Sequence, residues 1–454
     1  RRSSDLSTLH SVFTQAESLP HLYCDVQTHE QRTMQPEGEA AQKKYDREDE
    51  AYFSYYSMLT HQAQMLQDSV RTSAYQMSIM QHANPFFMNK IVMDVGAGNG
   101  ILSLFAIQAG ARLVYAVEAS NVAENLRHLV RAAREEDEEG VTDNQDDINE
   151  KNGSSEYGAN AWIRHKLAVV HSRVEDLTPS KLVECTPANA DVDEFVRVDT
   201  IVSECLGVLL VHERMCETFL EARDRFLRPD GAMFPRVGIL CFSLLNDPRM
   251  WQEVRARGEW WNTDNFYGVD LTPFVKAARA EAYASPVVGC FSPTHIIGTT
   301  PDGANADSAV CRYMIDFSTI SQNELREFHV PLGFDCVDEA VVVHGLGAWF
   351  DLNFLQSDEH ALGSDSISTY MTTSPFAPPT HWAQVRLYFP EPLALNAGQK
   401  VFGTLHFCVN ASRSYDITAD VYVPYDDDAG PEKALYRRRA FWKLDKQTYS
   451  WETL

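Results

Sequence analysis

Apolar positions change their spacing twice along this chain. From about Tyr45 to His82 they recur every three or four residues: Tyr52, Phe53 and Tyr56, then Leu59, Met65, Leu66 and Val70. That period predicts helices. From Lys90 to Pro235 short apolar runs alternate with helical stretches. Strands are predicted over Ile91–Val95, Leu113–Val117, Ala168–Val170 and Thr200–Ser203, and helices over Ile101–Gln108 and from about Glu213 to Phe226. The last helix carries Met215, Phe219, Ala222 and Phe226 on one face and stops at Leu227-Arg228-Pro229-Asp230-Gly231. Such alternation predicts an α/β unit with a mostly parallel sheet and helices on both faces.

Beyond Pro235 the runs Gly238–Leu244, Ala340–His344, Gln384–Phe389, Phe402–Cys408 and Ile417–Val423 are separated by Pro, Gly and Asn clusters. They predict an all-β, barrel-like region. Within it, Asn246–Tyr283 reads as helical with exposed aromatics: Trp251, Trp260, Trp261, Phe266 and Tyr267. The chain therefore divides into a flexible polar lead-in (1–44), N-terminal helices (45–89), an α/β unit (90–235) and a β region (236–454). No internal repeat is present.

At 454 residues the chain has room for two or three cores, and its 44% apolar and 23% charged residues are those of a soluble globular protein. No apolar run is long enough to cross a bilayer. The opening Arg1-Arg2-Ser3-Ser4 lacks an initiator methionine and a signal-peptide core, and reads as a fragment. Nine scattered cysteines with no close pair argue against zinc and disulfides, and suit the cytosol or nucleus. The net charge of −25 disfavours nucleic-acid binding and suits cationic protein substrates. Much of that charge falls in a polar stretch at about 134–160, containing Glu135-Glu136-Asp137-Glu138-Glu139, which reads as a solvated insertion.

Gly96, Gly98 and Gly100 follow a strand and precede a helix, so backbone passes close to a ligand there or simply makes a tight turn. The spacing is G-x-G-x-G, whereas a dinucleotide fingerprint is G-x-G-x-x-G. With Glu118 at the end of the second strand, where a carboxylate reads ribose hydroxyls, this favours S-adenosyl-L-methionine over NAD. Val174-Glu175 after the third strand is placed to meet an adenine amino group, or is a plain surface acid. Arg71 offers a fork able to hold a carboxylate.

Glu204 and Glu213 stand nine positions apart, joined by Cys205-Leu206-Gly207-Val208-Leu209-Leu210-Val211-His212. Glu204 follows a strand at a sheet carboxyl edge. Glu213 is predicted to open the next helix, whose dipole would keep it ionised. Two close carboxylates repel, and a buried guanidinium, planar and always charged, removes the conflict. The plainer alternative makes Glu213 a helix cap and Glu204 incidental; the apolar company of the loop favours the pocket. Cys205 is read as apolar filler beside an acid, not as a nucleophile.

At these residues the chain resembles the protein arginine methyltransferases. Ser203–Met215 matches that family's double-glutamate loop, Thr380-His381-Trp382 its threonine-histidine-tryptophan loop, Tyr52-Phe53-Ser54-Tyr55-Tyr56 its tyrosine motif, and Gln67–Thr72 the helix over the cofactor. The likeness runs from about residue 50 to 425. Val343–Asp351, Pro379–Arg386 and Ser414–Ile417 resemble the coactivator-associated type I branch, and Met65 is what that resemblance associates with asymmetric dimethylation.

The resemblance implies a Rossmann-like S-adenosylmethionine-dependent domain followed by a β-barrel with a helical dimerisation arm at about 246–283, hence a homodimer. It implies that Arg71, Glu118 and Glu175 hold the cofactor's carboxylate, ribose and adenine, with Tyr56, Met65 and Val174 beside it. Glu204 and Glu213 would grip guanidinium, Tyr52, Tyr56, Met215 and Trp382 would shape the substrate site, and His381 would pair with Asp68 in catalysis. No metal is expected. Cys205, Val208 and Val211 depart from the family's loop, which leaves a catalytically weak scaffold as the alternative to an active enzyme in cytoplasm and nucleus.

Overall fold

A computed structural model describes residues 49–135, 160–188, 190, 197–299, 309–335, 339–355, 370–426 and 430–450. The lead-in at 1–44 and all but the edges of the acidic insertion at 134–160 lie outside these residues. Among them, no helix is long and apolar enough to cross a membrane.

Three helices lead the described chain: α1 (49–56), α2 (Leu59–Gln67) and α3 (Ser69–Gln81). Asp68 separates the last two in extended backbone, and its side chain accepts from Arg71 N–H at 3.0 Å, capping α3. The single buried residue of α2 is polar, Gln62, because that helix faces a turn and not a core.

The first sheet is five-stranded: β1 (Ile91–Val95), β2 (Leu113–Glu118), β3 (Leu167–His171), β4 (Val198–Ser203) and β5 (Leu227–Phe234). All neighbours run parallel, in the order β3-β2-β1-β4-β5. Every residue of β1 and β2 is buried, the continuous apolar run of a doubly covered parallel sheet. Helices α4 (Ile101–Gln108), α5 (Val122–Glu135), α6 (Pro179–Cys185) and α7 (Met215–Phe226) pack on it. The order reverses beside β1, since β2 lies on one side and β4 on the other. That opens a crevice at the strands' carboxyl ends.

The helix stops after Phe226 as expected, and a strand follows at once. Leu227 ends α7 and begins β5, which runs through Pro229 and Gly231, and a register shift between Val198 and Thr200 absorbs the irregularity. Only Pro235 and Arg236 separate β5 from β6 (Val237–Leu245).

From β6 onward the chain is mainly antiparallel and barrel-like. A seven-stranded sheet takes in β6, β7 (Val287–Val288), β8 (Val310–Asp316), β10 (Val341–Asn353), β11 (Tyr370–Thr372), β12 (Val385–Leu395) and β16 (Thr448–Tyr449). A four-stranded sheet has the order β15-β14-β13-β9, with β9 (Glu327–Phe334), β13 (Val401–Val409), β14 (Tyr415–Pro424) and β15 (Ala434–Lys443). The two share a core: Phe242 of β6 meets Phe407 of β13, and Trp442 of β15 donates its indole N–H to Tyr388 O of β12 at 3.2 Å.

The arm consists of α8 (Pro248–Glu259) and α9 (Val275–Ala284), joined by a loop. Trp260 and Tyr267 are exposed (55% and 94%), but Trp251 is not. It is 8% exposed, and its indole N–H donates to Phe389 O, so it roots the arm in the barrel.

Candidate active site

The glycine turn is the floor of the crevice. Gly96, Gly98 and Gly100 have φ of +70°, +55° and +85°, which an L side chain rarely adopts. A Cβ on Gly98 would stand 2.9 Å from Gln62 Oε1, and one on Gly100 2.6 Å from Leu126 Cδ1. Gln62 reaches down from α2, accepting from Asn99 N–H and its side-chain amide (3.2 and 2.9 Å) and donating to Tyr56 O (2.9 Å). Glu118, at the end of β2, accepts from Gly98 N–H at 2.8 Å and from Ser120 N–H at 2.6 Å. Each carboxylate oxygen keeps a lone pair for a further donor.

The acidic loop is built under strain. Leu209, Leu210, Glu213 and Arg214 all have φ between +52° and +71°, an arrangement that costs roughly 1–3 kcal/mol per residue and clusters at functional sites. A Cβ on Gly207 would stand 2.1 Å from His212 O, so only glycine lets the loop fold back here. Trp382 donates its indole N–H to Leu206 O at 3.1 Å, and Cys216 Sγ meets Cys205 O at 3.3 Å. Burial pushes the Cys205 thiol up, as a packing role requires.

Glu204 and Glu213 both line one cavity of about 1020 Å³, counting its open mouth, together with Tyr52, Tyr56, Met65, Arg71, Met215, Gly96, Gly98, Glu118, Val174 and Glu175; Gly100 packs against Leu126 and does not line it. Arg71 donates to Glu204 Oε2 through Nε (3.0 Å) and Nη2 (2.6 Å), and to Met65 O through Nη1 (3.1 Å). The Tyr56 hydroxyl donates to Glu213 Oε2 at 2.7 Å. Thr218 donates to Glu175 Oε1 at 2.8 Å, which fixes that acid at the cavity wall.

One expectation about a role changes. Glu213 does not open the helix; it sits in a one-turn 3-10 segment two residues before α7. No dipole holds it ionised: burial, then the charge of Glu204, raise its proton affinity against the pull of the Tyr56 and Tyr52 hydroxyls. His381, Asp68 and Trp382 are not among the cavity's lining residues. His381 does meet Asp68, through its backbone N–H (2.9 Å) and Nδ1 (2.7 Å), but this pair braces the cap of α3, the helix that carries Arg71. Trp382 is 3% exposed and supports the acidic loop from behind.

A family model described as the arginine methyltransferase oligomerization subdomain matches residues 248–427. The probable histone-arginine methyltransferase CARM1 of Oryza sativa subsp. indica is 35% identical over 83% of this chain and 61% of its own length. Among solved structures, Arabidopsis thaliana protein arginine methyltransferase 10 aligns with a TM-score of 0.64 at 26% identity, over 86% of this chain and 99% of that one. The Trypanosoma brucei PRMT1 enzyme–prozyme heterotetrameric complex with AdoHcy gives 0.61 at the same identity and coverage. Along 83% of its length the chain is similar to the protein arginine methyltransferases. It spans about 60–62% of the length of the curated relatives it matches.

Among the cavity residues that sequence reasoning missed, three have long polar side chains. Gln62 looked like an ordinary polar helix position, Arg173 was passed over beside Val174-Glu175, and Arg413 lay in an unremarked Asn-Ala-Ser-Arg turn. The one available signal was Arg413 itself, a long charged side chain at a turn where glycine or asparagine is usual.

Proposed function

We propose that this chain is a type I protein arginine N-methyltransferase, moving a methyl group from S-adenosyl-L-methionine to a guanidinium nitrogen of protein substrates. Mono- and then asymmetric dimethylarginine are the products, with S-adenosyl-L-homocysteine released. One observation carries the reading: two half-buried carboxylates on a strained loop face the same cavity as a glycine turn and a backbone-anchored Glu118.

The residues present fit that cofactor. Positive-φ glycines leave room that a Cβ would fill, Glu118 keeps lone pairs for ribose hydroxyls, and Arg71 lines the same cavity with a fork that holds Glu204 here and would turn to take the cofactor's carboxylate. Val174 and Glu175 would flank the base. The bound cofactor supplies an electrophilic methyl on a sulfonium.

The protein's part is positioning and charge. Glu204 and Glu213 take N–H groups of the flat cation and draw its positive charge toward them, leaving electron density on the remaining nitrogen. Tyr56 holds Glu213 in register, while Tyr52, Met65 and Met215 wall the pocket. Glu213, whose burial raises its proton affinity, is placed to take the proton that the methylated product sheds. Arginine-bearing proteins, histones among them, are the substrates; the arm at 248–284 pairs two copies, and the work is done in nucleus and cytoplasm.

The test is mass spectrometry of a peptide rich in arginine with glycine or proline, incubated with the protein and S-adenosyl-L-methionine. Mass gain with fragments of asymmetric dimethylarginine supports the proposal. Cofactor binding without transfer supports the scaffold alternative instead.

A further inference from the structure

The hairpin joining β13 to β14 reaches the acidic loop from the barrel side. Asn410 fixes it, donating its side-chain amide to Asp416 Oδ1 (3.0 Å) and Asp445 Oδ1 (2.9 Å) and accepting from Ser412 N–H (2.9 Å). At its tip Arg413 has φ +50°, where a residue without a Cβ is the default. The turn gains nothing from an arginine, but the cavity does. The Arg413 guanidinium lines it, lies 4.5 Å from the centroid of the Tyr52 ring, and pairs with Asp49 of α1. Ser414 Oγ meets His212 Nδ1 at 2.8 Å, beside Glu213. Asp49 also accepts from Arg173 at 2.8 Å, whose guanidinium lies 5.7 Å from the Phe53 ring. One carboxylate on α1 thus receives a cation from each half of the molecule.

We propose that Arg413 is a positioning residue of the substrate pocket: it clamps α1 to the barrel through Asp49 and Tyr52, and so fixes the Tyr56 hydroxyl on Glu213. The clamp is independent of the methyltransferase reading; its kinetic consequence rests on it. Glu213 is faced by Tyr52 and Tyr56 from α1, Glu204 from just beyond β4, Tyr449 from β16 and Arg413 from the hairpin. Arg413 is the cation of that set, and it opposes the rise in proton affinity that burial imposes. Without it Glu213 holds its proton to a higher pH.

Hydrogen–deuterium exchange of residues 49–56 tests the clamp directly. Arg413→Gln should speed exchange there several-fold, and Arg413→Lys should fall between, since lysine keeps the charge on Asp49 but not the flat stack on Tyr52. Unchanged exchange in Arg413→Gln overturns the proposal. In steady-state kinetics, Arg413→Gln should move the acid limb of kcat/KM to higher pH, with partial return in Arg413→Lys. Arg173→Gln, which releases the other side of Asp49, should leave that limb in place. A limb that stays put in Arg413→Gln, or moves equally in both, also overturns it. A wild-type protein that transfers no methyl removes the functional reading, while the exchange result still decides the clamp.

Discussion

On the proposed function, neutralising the two pocket acids one at a time should cripple methyl transfer equally while affecting stability differently. Glu204 and Arg71 form a buried pair, with side chains 10% and 8% exposed. Glu204→Gln leaves the guanidinium beside an amide and Met65 O, an uncompensated buried charge. Breaking such a pair costs about 3–5 kcal/mol. The amide oxygen still accepts a hydrogen bond, so the low end, about 3 kcal/mol, applies, and at roughly 2–4 °C per kcal/mol melting falls by roughly 6–12 °C.

Glu213 is the reverse case. Its folded-state proton affinity lies above the ordinary carboxylate value because of burial, so its ionised form weakens the fold and its neutral form does not. Glutamine mimics the neutral form and still accepts from Tyr56, so Glu213→Gln should melt at the wild-type temperature or above. Each variant should lose about 10²–10³-fold in kcat, the scale for removing one transition-state contact. Differential scanning fluorimetry beside a labelled-methyl transfer assay reads both quantities. Equal loss of melting temperature in the two variants, or wild-type kcat in either, would refute the reasoning.

Gly98→Ala should weaken S-adenosyl-L-methionine binding by calorimetry at least tenfold with little change in secondary structure, because its Cβ would force Gln62 off the turn. Asp68 offers a pH test. Burial alone would raise its carboxyl, but the bonds from His381 and Arg71 outweigh that and hold it at about 2, against an ordinary 3.8. The stability it contributes is therefore present above pH 3.8 and lost as pH falls toward 2, about 1 kcal/mol after solvent screening. Asp68→Asn should flatten that part of the stability–pH curve, as followed by urea denaturation at stepped pH.

Much of the parallel-sheet half was legible because its strands are short apolar runs bounded by turns, as at Ile91–Val95. The barrel was read less completely. β9 alternates strictly between exposed and buried positions but carries Pro331, a residue that strand interiors rarely hold. The consecutive Arg437, Arg438 and Arg439 hid β15 in the same way. Pairing order and register are set by contacts far apart in the chain, which local periodicity does not carry. The acids were legible because two glutamates sat amid apolar residues. The depth of Trp251 and Trp382 was not, since an indole with one N–H is satisfied by a distant carbonyl that no local pattern announces. The Asp49–Arg413 pair spans most of the chain and left no trace in spacing.

The short passage from β5 to β6 has a mechanical consequence. Arg236 in that link donates its N–H to Asn353 O (3.1 Å) and accepts from Phe317 N–H (2.8 Å), so the join is itself stitched into the barrel. A tether this brief and this well bonded leaves the two halves little freedom to swing apart. Any widening of the cavity's mouth therefore falls to the leading helices, whose Tyr52, Tyr56, Met65 and Arg71 line it. On the proposed function, a compound that pins those helices in place would arrest the protein without resembling cofactor or arginine.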